Sequence, residues 1–433
     1  MITTVIIAAV TFVALAASII FFPTLKIGKI KIGTYWIVAL VGAAILLLAK
    51  QVPVRAVWES LLSNDEINPL KILVLFFSMT FLSVYLDEVG LFAYLAQKAS
   101  GLAKKKQVGL FAVTYFLTAL LTVFTSNDVV ILTLTPFLCF FCKNAKINPL
   151  PYLVGEFVAA NTWSMALVIG NPTNIYLATS AGVDFASYFK VMALPTLAAG
   201  AVEFFLVWLL FRKSLKQELS FEEKAVKIEH KLDLIIGVSH LAVCLVFLAI
   251  SGYVKFPMWL ISAIAAGSLL VCSLVLRLIT RKDWRVLGCS LRRLPYQLVP
   301  FVLGMFVIVI ALEYRGVSEK IASVLGEKAV IFSYGASSFA ACNVINNIPM
   351  SILFASLSKH LSGRAYLQAT YASIVGSNIG AFLTPVGALA GIIFTDLTER
   401  YDVRYGFRKF VLYGFLIGIP TLFVALGVLA LML

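Results

Sequence analysis

The sequence predicts an all-α polytopic membrane protein: two inverted repeats of five transmembrane helices each, plus two re-entrant hairpins and two broken helices. Three observations predict it. Of 433 residues, 61% are hydrophobic and 13% charged, against about 45–50% and about 25% in soluble domains. The excess is gathered into apolar runs near the ~20 residues that cross a hydrocarbon core as helix. Polar breaks interrupt those runs in the same order in the two halves of the chain.

Apolar runs place spans near 2–22, 35–49, 70–86, 152–178 and 188–211, a first repeat over 1–211. A charged linker, 212–232, follows. Spans near 233–251, 257–276, 297–314, 366–394 and 410–432 then form a second repeat, 233–433. The first run lacks a basic flank and stays apolar past Ala14-Leu15-Ala16, so it reads as an uncleaved span and not as a signal peptide. Each repeat also holds a pair of shorter limbs, 107–124 with 129–142 and 329–342 with 348–358. The limb 348–358 reaches only about 17 Å at 1.5 Å per residue, against roughly 30 Å of hydrocarbon, so it dips in and returns. The reading is a cytoplasm-side hairpin over 107–142 and an outside hairpin over 329–361.

With the 212–231 linker in the cytoplasm, 25 of the 35 Lys and Arg residues fall in cytoplasmic segments and 10 outside, the bias that orients membrane proteins. Both termini then lie outside a multi-pass cell (inner) membrane protein. The net charge of +14 belongs to the inner face of the lipid bilayer, and no nucleic-acid partner is implied. Five spans per half is an odd number, so the second half enters from the opposite side. "SNDVVILTLTPFL" (126–138) parallels "INNIPMSILFASL" (345–357), setting Asn127-Asp128 against Asn346-Asn347. "VIGNPTNIYLA" (168–178) parallels "IVGSNIGAFLT" (374–384).

Six Cys without a polar ectodomain give no disulfide framework; Cys139 and Cys142 read as buried thiols on an apolar helix. Three His make no metal cluster, and no phosphate loop appears. No nucleotide site or other cofactor is implied, leaving a proton or sodium gradient as the energy source. Asp128 has no evident acidic partner, so the chain does not read as an enzyme.

Non-helical backbone at membrane depth survives only where protein or a water-filled cavity satisfies it, and interrupted helices in matching positions mark a binding site. The candidate substrate-binding residues are therefore Ser126, Asn127, Asn171, Thr173, Asn174, Asn343, Asn346, Asn347, Ser377, Asn378 and Thr384. Capping of broken helix ends is the competing role for Asn171, Asn174, Asn346 and Asn378. Asp128, a carboxylate at mid-membrane, is the candidate for ion or proton coupling. Glu203, about 13 Å inside Arg212 by helix rise, either relays protons or pairs with a polar neighbour, pairing being favoured. Glu156 and His240 read as interfacial. No Lys or Arg lies within the breaks, which favours a neutral or cation-accompanied substrate, since amides and hydroxyls both donate and accept. Gly376-x-x-x-Gly380 and Gly387-x-x-x-Gly391 read as close helix packing. Cys342, a soft thiol, borders the second hairpin turn.

"SNDVVILTLTPF", "GNPTNIYLATSAGVDFASYFKVMALP", "RRLPYQLVPFVLGM", "NVINNIPMSIL" and "GSNIGAFLTPVGALAG" resemble the arsenite/antimonite permease family, in order and along nearly the whole chain. That family sits in an ion transporter superfamily with citrate transporters, sodium/proton antiporters and divalent anion/sodium symporters. The resemblance implies a secondary active transporter with a scaffold and a moving, elevator-like subdomain. It would export arsenite or antimonite in exchange for protons, and a separate ATPase subunit and a homodimer are partners known within the group. Two motifs depart: Gly170-Asn171-Pro172-Thr173-Asn174 stands for an expected Ser-Asn-Leu-Val-Asn, and Ser377-Asn378-Ile379-Gly380-Ala381-Phe382 for Cys-Asp-Leu-Gly-Pro-Lys. The first is shared with distant branches, which keeps sodium-coupled di- or tricarboxylate transport and sodium/proton antiport as alternatives.

Overall fold

The computed structural model describes residues 1–22, 24–27, 30–62, 68–101, 106–216, 230–280, 283–403 and 405–433. Most of the linker (217–229) lies outside them. Among the described residues, seven helices are long and apolar enough to cross a membrane: Ile2–Ile19, Pro69–Glu88, Gln107–Phe124, Phe185–Phe211, Lys231–Ser251, Met258–Thr280 and Phe407–Met432. An eighth span results if Leu298–Tyr314 and Val317–Leu325, bent by 80°, count as one. Val243, Val246 and Phe247 on one peripheral helix and Ile264, Val271 and Val275 on its neighbour are exposed, the apolar outer surface that lipid requires.

The apolar runs expected at 152–178 and 366–394 are both broken. The first is helix Leu150–Trp163, two 3-10 turns, Ser164–Ala166 and Val168–Gly170, and helix Pro172–Ser180. Pro172 opens that last helix with Asn171 capping it, since a proline at the first turn forfeits no hydrogen bond. The second run is helix Gly363–Gly380, an irregular stretch, and helix Leu389–Arg400. The hairpin limbs are Gln107–Phe124 with Asn127–Asn144 and Val330–Ile345 with Asn347–Ser358.

Two details correct the sequence reading. Between the first two apolar runs of a chain expected to be all-α, Thr24–Ile27 pairs antiparallel with Ile30–Gly33, where β-branched residues favour extended backbone. The return limb of the first hairpin is also longer than the 129–142 expected. At 18 residues it reaches about 27 Å, because Pro136 is accommodated inside the helix.

The tightest packing joins Val330–Ile345 to Gly363–Gly380. A Cβ on Gly376 would overlap the Gly335 carbonyl and the Ser338 hydroxyl, and one on Gly380 would press on Cys342 Sγ and Phe339. The sequence's glycine pair is thus a backbone-to-backbone contact. Helix Phe185–Phe211 packs along Phe407–Met432, Gln107–Phe124 along Leu150–Trp163, and Leu298–Tyr314 along Tyr35–Leu48. Away from the breaks, Asp233 and Arg277 form a buried ion pair at 3.0 Å between the helices Lys231–Val254 and Met258–Thr280. Tyr85 donates to Asp233 at 2.6 Å.

Candidate functional site

Each hairpin tip is held by the broken helix that follows it. At the first tip, Ser126 and Asn127 are 5% and 1% exposed, and Asn127 Nδ2 donates to Asn161 Oδ1 at 3.2 Å. This tip is closed inside protein, as non-helical backbone at membrane depth would have to be. At the second tip, Asn346 Nδ2 donates to the Val386 carbonyl at 2.8 Å, and Asn347 N–H to the Gly387 carbonyl at 3.0 Å. Asn346 adopts φ +69°, a left-handed conformation that Asn tolerates better than most residues. Asn343 donates to the Gly380 carbonyl at 3.0 Å and accepts from Thr384 at 2.8 Å.

Counted from the first helical residue, Asn127 corresponds to Asn347, because Ser126 and Asn346 are the N-caps. That is one residue away from the pairing read in the sequence.

The two broken helices meet each other. Asn378 Nδ2 donates to Asn174 Oδ1 at 2.7 Å, while its Oδ1 accepts from Ser164 at 2.8 Å and from Asn171 Nδ2 at 3.2 Å. Thr173 and Ser377 hydroxyls lie 3.3 Å apart, and Asn174 Nδ2 also donates to the Ser164 carbonyl at 2.8 Å. All of these side chains are buried. Asn171 caps, its Oδ1 accepting from the Thr173 N–H at 3.1 Å, and so does Asn346, whose Oδ1 accepts from the Ile348 N–H at 3.4 Å; a capping amide can also meet a ligand. Each tip holds one buried oxygen without a partner among the described residues, Ser126 Oγ at the first and Asn347 Oδ1 at the second. Unmatched groups of this kind are rare and ask for a ligand, ion or water.

Residues 30–370 match the model of the family described as citrate transporter. This chain belongs to the citrate transporter family. Relatives of this family member include the arsenical pump membrane protein of Escherichia coli strain K12, 28% identical over 83% of this chain and 85% of that one. The 46 kDa membrane protein of Mycobacterium leprae is 23% identical over 90% and 91%, and the putative arsenical pump membrane protein of Bacillus subtilis is 24% identical over 76% and 80%. Among solved structures, the YdaH transporter of Alcanivorax borkumensis superposes with a TM-score of 0.55 over 99% of this chain and 97% of that one, at 14% identity. That likeness shows the fold. This citrate transporter family member is a multi-pass membrane transporter.

Asp128 stands in the first turn of helix Asn127–Asn144, where the helix-start dipole favours negative charge. Its carboxylate makes no hydrogen bond or ion pair among the described residues; only its N–H is engaged, by Asn127 Oδ1 at 2.9 Å. Glu203 is paired: the Thr162 hydroxyl donates to it, and Tyr115 OH lies 3.4 Å away. Glu156, expected at the interface, is fully buried and takes the Thr135 hydroxyl at 2.9 Å. The helix rotates it inward because Leu150–Trp163 is enclosed on every side. His240 is partly exposed and binds Ser268 at 3.1 Å. Cys342 is fully buried, and its Sγ lies against Asn343 Nδ2 at 3.4 Å.

Sequence reasoning missed Asn161 and Ser164. Their signal was present as Asn161-Thr162-Trp163-Ser164, a polar interruption ahead of Gly170 inside a run read as continuous apolar helix.

Proposed function

We propose that this transporter exports arsenite or antimonite in exchange for protons, by alternating access with an elevator-like movement of the hairpin-bearing body. The observation that carries the reading is the buried cluster of Asn161, Ser164, Asn171, Thr173, Asn174, Ser377 and Asn378, joined across the two halves by amide and hydroxyl bonds. Its side chains carry no charge. A neutral trihydroxide of arsenic or antimony offers three donors and several acceptors, which such groups satisfy without a fixed cation. The names of the Escherichia coli and Bacillus subtilis relatives support the same substrate class. Inverted repeats, with the hairpins entering from opposite faces, would bring both tips to one central place. Termini outside an inner or plasma membrane complete the reading. Asp128, unpaired at the first tip, is the proton-coupling group.

The test is expression in a metalloid-sensitive bacterium that lacks its own exporter. Resistance to arsenite and antimonite, with lower cellular metalloid, is the expected result; full sensitivity with confirmed membrane expression rejects it. A second reading, sodium-coupled di- or tricarboxylate transport, is favoured by the family match and by the partnerless Ser126 Oγ and Asn347 Oδ1, oxygens of the kind that hold a sodium ion. Sodium-dependent citrate uptake in proteoliposomes would identify it.

A further inference from the structure

A polar seam leaves the central cluster along helix Leu150–Trp163. Asn161 holds its deep end, bonded to Asn127. Glu156 lies about 7.5 Å back along the helix by rise, and Tyr152 about 6 Å beyond that. Thr135 Oγ1 stands 2.9 and 3.0 Å from the two Glu156 oxygens. Tyr152 OH donates to Gln107 Oε1 at 3.1 Å, and Gln107 opens the first limb of the first hairpin, directly after Lys106. Gln107 Nε2 is buried without a partner, which marks a place for water.

Glu156 is fully buried, yet one hydroxyl carries one proton and so serves a single carboxylate oxygen at a time. The groups facing it are few. From helix Asn127–Asn144 come Thr135 and Cys139, whose thiol is in electrostatic range; from its own helix comes Tyr152. Helix Phe185–Phe211, packed along the same helix, carries the carboxylate Glu203, whose bonds go to Thr162 and Tyr115. Phe394 stacks on the adjoining Phe157 and Phe410 meets it edge-on. No Lys, Arg or His pairs with Glu156 among the described residues. A lone buried carboxylate is costly without a counter-charge; a bound proton cancels the charge, and the Thr135 hydroxyl then accepts from the carboxyl O–H.

We propose that Glu156 is a second proton-carrying site of the transporter. It takes a proton from cytoplasmic water through the Tyr152–Gln107 end and returns it there, or passes it toward Asn161 and Asp128, as the hairpin body moves. The inference rests on the proton-coupled reading above and adds a route to it. No bond other than O–H forms or breaks.

The experiment compares wild type and Glu156→Gln in proteoliposomes, with arsenite and antimonite as probes and a lumenal pH dye. Proton-driven accumulation should fall at least about tenfold, and the pH dependence between about pH 5 and about pH 9 should flatten. Substrate exchange at equal pH, which moves no net protons, should fall less than about threefold. Infrared spectra of the purified protein should show a protonated-carboxyl band that is missing in Glu156→Gln and shifted in Thr135→Val. Unchanged coupling and pH dependence in Glu156→Gln overturns the proposal. If that variant does not fold, an unshifted band in Thr135→Val overturns it. Absence of metalloid flux in wild type with the Glu156 band present and titrating rejects the substrate, while the proton site stands.

Discussion

Asn378 and Asn174, 204 positions apart in sequence, are locked amide to amide at 2.7 Å inside the protein. The bond fastens the break in the second half to the break in the first. Asn378 uses both ends of its amide: the Nδ2 also reaches the Ile374 carbonyl at 2.8 Å, and the Oδ1 is shared by Ser164 and Asn171. The cluster is a set of donors and acceptors that already satisfy one another across the two halves.

Replacing Asn378 with Ala strands the Asn174 Oδ1 and the Asn171 Nδ2 at once, while the Ser164 hydroxyl keeps the Asn161 carbonyl at 2.6 Å. Each buried group left without a partner costs about 1–3 kcal/mol. A fall in the thermal unfolding midpoint and loss of transport are expected, read by melting of the purified protein and by vesicle flux. Asn378→Ser, which keeps one donor and acceptor, should recover part of the midpoint. An Ala variant as stable and active as wild type would remove Asn378 from the junction.

Asp128→Asn keeps the shape of the first tip and removes its charge. Because the carboxylate has no protein partner among the described residues, the substitution breaks no ion pair, and folding should be preserved within about 0.5 kcal/mol. Flux driven by a pH gradient should be abolished. Unchanged pH-driven flux in reconstituted vesicles would reject the coupling role.

Much of this was legible in the sequence. The breaks at Ser126-Asn127 and Gly170-Asn171 announce themselves because polar residues cannot sit at membrane depth without a purpose, and the structure brings Asn127, Asn171, Asn174 and Asn378 into one connected network. What stayed hidden depends on rotation about a helix axis. Glu156 reads as interfacial from its distance to the helix start, but its orientation toward Thr135 is set by packing from all sides. Asn161 and Ser164 were masked because the 3-10 turns begin six residues before the glycine that seemed to mark the break. The exact helix start, Asn347 instead of Ile348, follows from cap geometry that periodicity does not encode.

Gly376 lies against the Gly335 carbonyl and Ser338 with no space for a methyl group. Gly376→Ala therefore separates the helices Val330–Ile345 and Gly363–Gly380, at the typical overpacking cost of about 1–3 kcal/mol. Gly427→Ala, where nothing lies within 4 Å of the added carbon, should be neutral or slightly stabilising. Melting curves of the two variants side by side check the contrast. Equal midpoints would mean that the first pair of helices is not closely packed.

Asp233 and Arg277 are each 2% exposed; Tyr85 donates to Asp233 and Arg277 Nη1 donates to the Ser273 carbonyl at 2.9 Å. Asp233→Asn leaves the guanidinium buried without a counter-charge and should cost about 3–5 kcal/mol. Pairing it with Arg277→Met removes the stranded charge and should restore most of the loss. Transport, which depends on groups elsewhere, should follow the amount of folded protein. If the single variant is no less stable than the double one, the pair is open to water in the membrane.

The position of the two tips decides the whole reading. Ser126 and Asn347 are 5% and 3% exposed, whereas Ser323 is exposed on helix Val317–Leu325. In a variant without native Cys, Ser126→Cys and Asn347→Cys should react with a membrane-impermeant maleimide at least about tenfold more slowly than Ser323→Cys, because a buried thiol must wait for an opening of the structure. Substrate and proton gradients should change the two rates, since alternating access exposes the tips from one face and then the other. Reaction at both tips as fast as at Ser323→Cys, each from one face only and indifferent to gradients, would place them permanently at the headgroups. The amide cluster would then be a static junction, and cargo would have to cross elsewhere.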